Sequence, residues 1–319
     1  MPYVHLVRSV CRVAIALAVT VAFSPRLIAQ SSAGGAPDVG VLIMAHGGTP
    51  EWDGAVVQAI QSVRGTLPTA LALGMADPTT MQAALDSLSR AGVETIAVVR
   101  LFLSGESFLQ DTEFYLGLRD DPSPMAGMMM HGGDAHAGHG AHAGPPSPLE
   151  HSAEILLERR GLSEAPVASS IVLDRAMDVS IDPARESVIV VAHGMGDEGE
   201  NQRVLDNMAA SVETLRGAGF GEVHAATLRE DWPEARAVAE AEIRDWVATR
   251  AARGDRVIVV PYRLFGFGGY AEVLEGLTYV PADGLLPHDL VSTWIEDSAA
   301  SLFCGAGVEH PLGRCMSSR

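Results

Sequence analysis

Two histidines in this chain occupy matching surroundings. An apolar run from Val39 to Ala45 leads into His46 and Gly47, and a second from Val188 to Ala192 leads into His193 and Gly194. An imidazole directly after a buried strand is held at the sheet edge, where it can ligate a metal ion or take a proton. The glycine that follows lets a large ligand approach the backbone. The plainer role for such a histidine is to close its strand by bonding to a neighbouring loop. Its recurrence at two corresponding places favours chemistry. Glu106 and Glu272 follow later strand candidates and lie near enough in sequence to act as ligand or base, with Glu106 the preferred catalytic carboxylate. Each also suits a helix start, where a carboxylate meets the positive end of the helix dipole. A third group lies between about Asp120 and Pro148, where Met125, Met128, Met129 and Met130 are followed by His131, His136, His139, His142 and then His151. Neutral imidazoles suit cobalt, nickel, copper or zinc, and thioethers suit Cu(I).

Several other chemistries are excluded or disfavoured. All 22 basic residues are Arg, so the lysine that a phosphate-binding P-loop requires is missing. No Gly-x-Ser-x-Gly elbow occurs. The glycines from Gly266 to Gly269 lack dinucleotide spacing and read as a tight turn, so no nucleotide is expected as cofactor. Ala45 and Ala192 stand where histidine phosphatases carry Arg, which disfavours phosphoryl transfer. A formal charge of -18 repels phosphate backbones and anionic lipid heads, so neither nucleic acid nor a membrane surface is an expected partner. Cations remain compatible with it.

The elements that must hold these residues follow from hydrophobic periodicity. With 319 residues, 47% of them hydrophobic, the chain can bury a sizeable core. After each His-Gly pair comes a helical pattern (54 to 64, and 200 to 217), then a strand candidate (70 to 75, and 222 to 228). A second amphipathic helix (79 to 91, and 233 to 253) leads to a last strand (95 to 102, and 256 to 262). Nearly continuous Val, Ile, Leu and Ala strands are what a parallel sheet covered on both faces needs. The expectation is an α/β protein of two similar doubly wound parallel-sheet halves, with ligands bound outside the carboxyl ends of the strands.

The halves are placed at 30–119 and 151–319, with a Met/His/Gly-rich flexible linker at 120–150. Residues 1–29 read as a secretory signal peptide. Arg8 and Arg12 precede an apolar run from Val13 to Phe23 that is too short to span a bilayer, and a cleavage-like step follows at Ala29. This predicts an exported, periplasmic or extracellular product without stable membrane insertion. Cys304 and Cys315 lie in the Gly-rich tail of the second half. They match neither Cys-x-x-Cys nor a Cys/His zinc pattern, and an oxidising compartment favours a disulfide between them over free thiols.

The paired Ala-His-Gly strand ends, the segments from Val98 to Ser104 and from Val259 to Phe265, and the His-rich tract together resemble the sirohydrochlorin cobaltochelatases and ferrochelatases of the class II chelatase superfamily. The resemblance covers about 39–279 without the linker. It implies a chelatase-like fold and ATP-independent insertion of Co(II) or Fe(II) into a sirohydrochlorin-type tetrapyrrole held between the halves. Cobalt is the first expectation for the ion, with iron or nickel as alternatives. Carried over by position, the family's histidine falls on His46 and, in the second half, on His193. The family's further histidine after the later strand has no counterpart between Phe102 and Phe108 or between Phe265 and Tyr270. Because chelation in this family is a cytoplasmic step, an exported metal-binding or metal-delivery protein on the same fold is the alternative.

A flexible imidazole tract adds ion capacity without adding packed core. Deleting 128–142 should therefore lower the stoichiometry of Co(II), Ni(II), Cu(II) or Zn(II) in a calorimetric titration while leaving the thermal unfolding midpoint nearly unchanged.

Overall fold

The computed structural model describes residues 38–123, 146–313 and 315. The signal-like segment and His131, His136, His139 and His142 lie outside them.

The first half begins with β1 (Val39–Ala45), α1 (Pro50–Ala59), α2 (Gln61–Thr66), β2 (Thr69–Leu73), α3 (Pro78–Arg90), β3 (Thr95–Leu101) and α4 (Leu109–Tyr115). Past the His-rich tract come β4 (Glu154–Leu157) and α5 (Val167–Val179). The second half runs β5 (Glu186–Ala192), α6 (Glu198–Gly217), β6 (Glu222–Thr227), α7 (Pro233–Ala252), β7 (Arg256–Tyr262), α8 (Tyr270–Val273), β8 (Val280–Pro281) and α9 (Asp289–Ala306). Two parallel four-stranded sheets result, ordered β2-β1-β3-β4 and β6-β5-β7-β8.

The strand and helix order expected from the sequence is present, and α4, α5, α8 and α9 are added to it. The first predicted helix starts four residues earlier, at Pro50, and breaks into α1 and α2 at Ile60, which serves as the cap of both. Each sheet also carries a fourth strand, β4 or β8. These strands are short and adjoin the linker or a Gly/Pro-rich loop, so their periodicity is too brief to stand out. The first sheet therefore extends past residue 150, because β4 pairs with β3.

Local chemistry sets the helix ends. Asp77 caps α3, its carboxylate accepting from the backbone N–H of Thr79 and Thr80, and Pro78 supplies a preset first turn. Asp197 caps α6 in the same way through the N–H of Glu200, and Glu198 and Glu200 face the positive end of the dipole.

Alternate residues of each strand serve opposite cores. Val41, Ile43 and Ala45 of β1 join Val188, Val190 and Ala192 of β5 in one core shared by both halves. Leu42 and Met44 face a separate core under α3, and Ile189 and Val191 face a third with Ile243 and Val247 of α7. The helices between the sheets are exchanged. α5 follows the first sheet yet packs on α6 and β7, while α9 follows the second sheet yet packs on β3, β4 and α2. Among the described residues, no helix is long and apolar enough to cross a membrane.

At the start of β5 the Glu186 side chain is 1% exposed. Burial raises its pKa, but hydrogen bonds from the Ser180 hydroxyl and the Ile181 N–H, with Arg256 at 2.6 Å, outweigh that and hold it below the usual carboxylate range. A depressed carboxylate pKa stabilises the fold above the unfolded-state pKa, and that stability is lost as the pH falls through the folded-state value. Glu186→Gln should cost about 1–3 kcal/mol at pH 7, towards the low end because Arg256 is partly solvated. In urea titrations the gap to the native protein should close as the pH drops below about 4.

Candidate active site at the seam between the halves

His46 and His193 leave equivalent inner strands, β1 and β5, at their carboxyl ends. In each the ring Nδ1 lies close to the carbonyl oxygen of the next residue, 2.9 Å to Gly47 and 2.8 Å to Gly194. A carbonyl can only accept, so this contact calls for a proton on Nδ1 and leaves Nε2 available as ligand or base. That is the tautomer a metal ligand or proton acceptor needs.

Gly47 and Gly194 make this geometry reachable through left-handed backbone angles, φ +74° and +81°. The chain beyond each is then tied to the following helix. The Gly48 N–H donates to Asp53 Oδ1 at 2.9 Å, and the Met195 N–H donates to Asn201 Oδ1 at 3.1 Å. An indole covers each loop. A methyl group on Gly48 would meet the Trp52 ring at 2.8 Å, and one on Gly196 would meet Trp232 at 2.1 Å.

The two imidazoles differ in what surrounds them. His46 stacks on Trp52 with ring centres 5.4 Å apart, and Trp52 stacks on Phe265 of the other half at 6.1 Å. His193 meets Trp232 edge-on, and its Nε2 lies 3.2 Å from Asp231 Oδ2. An imidazole lone pair and a carboxylate oxygen at that distance repel unless a proton or a metal cation lies between them. The His193–Asp231 pair thus presents one nitrogen and one oxygen donor at the same edge. Both side chains are open to solvent, at 45% and 72% exposure, so the site is an accessible edge.

Glu106, the carboxylate expected as ligand or base, pairs with an arginine of the other half. Its carboxylate faces Arg203 of α6 across the halves at 3.7 Å, and both side chains are more than half exposed. Such a pair contributes about 0–1 kcal/mol and opens readily. The Glu106 loop itself is firmly held. Arg100, 1% exposed at the end of β3, donates to the carbonyls of Gly105, Ser107 and Arg159. Burial lowers its pKa to about 10, which leaves it cationic at neutral pH. Glu272 is exposed on the single turn of α8.

Residue types alone did not single out Trp52, Asp231, Trp232, Arg203 or Arg100. Trp52 lies within the first helix turn after His46, a proximity that could have flagged it. Asp231 joins its histidine only through the tertiary turn after β6. The same edge of the second half holds a polar cluster. The Arg263 guanidinium lies over the Tyr270 ring at 5.9 Å with its Nε buried and unpartnered, and burial, then the nearby Glu230 carboxylate, raises the Tyr270 phenol pKa.

The two glycines should tolerate substitution unequally. A methyl on Gly194 would approach Thr227 Cβ at 2.7 Å and Asn201 Oδ1 at 2.9 Å, whereas on Gly47 the nearest atom is Leu73 Cβ at 3.2 Å. Gly47→Ala should cost about 1–2 kcal/mol from the backbone angle alone, and Gly194→Ala about 2–4 kcal/mol once overlap is added. Urea unfolding of the two variants measures both.

No family model matches the sequence, and no curated protein is significantly similar to it. Solved structures do resemble it. SirB from Bacillus subtilis with Fe3+ superposes with a TM-score of 0.58 at 14% identity, over 86% of this chain and 99% of that one. The sirohydrochlorin chelatase SirB from Bacillus subtilis subspecies spizizenii in complex with cobalt gives a TM-score of 0.54 at 12% identity, over 83% and 94%. DR2241 from Deinococcus radiodurans, a multi-domain protein described as structurally similar to chelatases, gives 0.50 at 17% identity over 83% of this chain and 55% of its own. With its two parallel four-stranded sheets flanked by helices, the chain has a two-half, chelatase-like α/β fold.

Proposed function

We propose that this protein inserts a divalent transition-metal ion into a sirohydrochlorin-type tetrapyrrole at the seam between its halves, without a nucleotide. The observation that carries the reading is the pair of histidines at the carboxyl ends of β1 and β5, each with Nδ1 against the next residue's carbonyl, which leaves Nε2 for a ligand or proton. The fold likeness to sirohydrochlorin chelatases supports it. Cobalt is the first choice of ion, with iron and nickel as alternatives. The ion is a substrate here, as is the macrocycle.

Insertion of M2+ into a free-base macrocycle releases two pyrrole protons. His46 Nε2 accepts one as general base, and its stack through Trp52 to Phe265 offers a flat aromatic surface beside the macrocycle. The His193–Asp231 pair presents one nitrogen and one oxygen donor to the incoming cation and takes up the second proton as the ion leaves it. Arg203, held only loosely by Glu106 at 3.7 Å and Glu200 at 3.9 Å, is free to meet the carboxylates of the tetrapyrrole periphery. Glu106, released from Arg203, is then a further proton acceptor at the same edge. The signal-like N-terminus and the His-rich tract make the site part of an exported protein that gathers its ion through His131, His136, His139 and His142.

The second reading keeps the fold and drops the insertion: an exported protein that stores or delivers a metal ion. The His193–Asp231 pair favours it, since two donors near one another suffice to hold a cation.

Purified protein mixed with sirohydrochlorin and Co(II) or Fe(II) separates the two, because metallation changes the absorbance of the macrocycle. His46→Ala should lower the insertion rate by about 10²–10⁴-fold, and His193→Ala should lower it less, with both variants folded. Full activity in both would overturn the site assignment. Native protein that makes no product, yet loses tightly bound metal when His46 or His193 is replaced, establishes the storage reading instead.

A further inference from the structure

A second cluster of metal-ligating side chains lies away from the seam, at the end of α9. Cys304 and Cys315 form a disulfide, with Cα atoms 5.5 Å apart. His310 joins them. Its Nε2 is 3.2 Å from Cys304 Sγ and 3.6 Å from Cys315 Sγ, and its ring packs on Phe303 at 5.4 Å. The three donor atoms all fall within 4.8 Å of one another. His310 Nδ1 is buried with no hydrogen-bond partner, so the ring is held in place by packing and keeps Nε2 on the sulfurs. The sequence gives no sign of this arrangement, because its spacings fit no zinc pattern and the histidine reaches the sulfurs only through the turn after α9.

A disulfide offers no thiolate to a metal ion. Reduced, the same residues present two sulfur donors and one nitrogen, a set that suits Zn(II), Co(II) or Cu(I). The surroundings allow the change. Cys315 is exposed in the tail, and Gly307 and Gly313, with φ of +71° and +56°, bracket the turn, so the sulfurs can separate without moving the core. A cavity of about 440 Å³ opens over the cluster, lined by Val308 and Glu309 as well as the three ligands. Three protein ligands beside open space leave a coordination position free, as in sites that exchange what they bind.

We propose that Cys304, His310 and Cys315 form a redox-gated site for a thiophilic transition-metal ion, closed as the disulfide and opened by reduction. A dithiol reductant supplies two electrons and two protons, is itself oxidised to a disulfide, and leaves two thiols. Binding of the ion then displaces both thiol protons, and His310 contributes the Nε2 lone pair. α9 starts beside the carboxyl end of β7 and its 18 residues extend about 27 Å, so this site is separate from the one at the seam. The inference stands whether or not the protein is a chelatase.

The test is a Co(II) titration of the full chain, unreduced or reduced with a phosphine that is then removed. Thiolate-to-cobalt charge-transfer absorbance should appear to one equivalent in the reduced protein only. It should vanish in Cys304→Ser and in Cys315→Ser and persist in His46→Ala. His310→Ala should bind at least about tenfold more weakly, since loss of an outer partner alone costs about 10–100-fold. Should the serine variants fold poorly, alkylation of the reduced native protein gives the same answer, because bound metal must shield Cys304 and Cys315 together. The proposal is overturned by absence of the band after reduction, its presence without reduction, its loss in His46→Ala, an unchanged affinity in His310→Ala, or alkylation indifferent to metal.

Discussion

The exchange of helices between the sheets is the constraint on which the rest of this molecule depends. α5 leaves the first sheet and packs on the second, α9 does the reverse, and the apolar residues facing them merge into one core. Neither half can fully bury its inner sheet face without the helix that the other half supplies. The relative placement of the sheets is thereby fixed by close packing, which tolerates little adjustment. That rigidity allows side chains from both halves to be used as one site, Trp52 against Phe265 and Glu106 against Arg203, although each of those contacts is weak by itself.

What the sequence made legible is what local physics controls. Continuous apolar strands, amphipathic helices and the His-Gly repeats follow from periodicity and turn chemistry within short windows, and so the two halves and the strand-end histidines emerged. The exchange of α5 and α9 left no such trace, because which sheet a helix packs on is decided by distant residues. The same limit explains the site. His46 and His193 were visible as a repeated pattern, whereas Asp231 reaches His193 by way of the turn after β6, and Arg203 reaches Glu106 from a different half. Glu106 was legible as a candidate ligand or base after a strand, but its nearness to the Arg203 guanidinium of the other half was not.

The two halves carry the same strand-end device in different surroundings. In the first, aromatic stacking confines the imidazole and Nε2 has no carboxylate partner among the described ion pairs. In the second, Asp231 adds negative charge next to Nε2 and the ring is approached only edge-on. A carboxylate beside an imidazole places an oxygen donor next to a nitrogen donor at one exposed edge. The stacked imidazole instead adjoins a flat aromatic surface that runs through Trp52 to Phe265. The shared core fixes the spacing of these unlike edges, so any ligand that reaches across the seam meets an aromatic surface on one side and an anionic edge on the other.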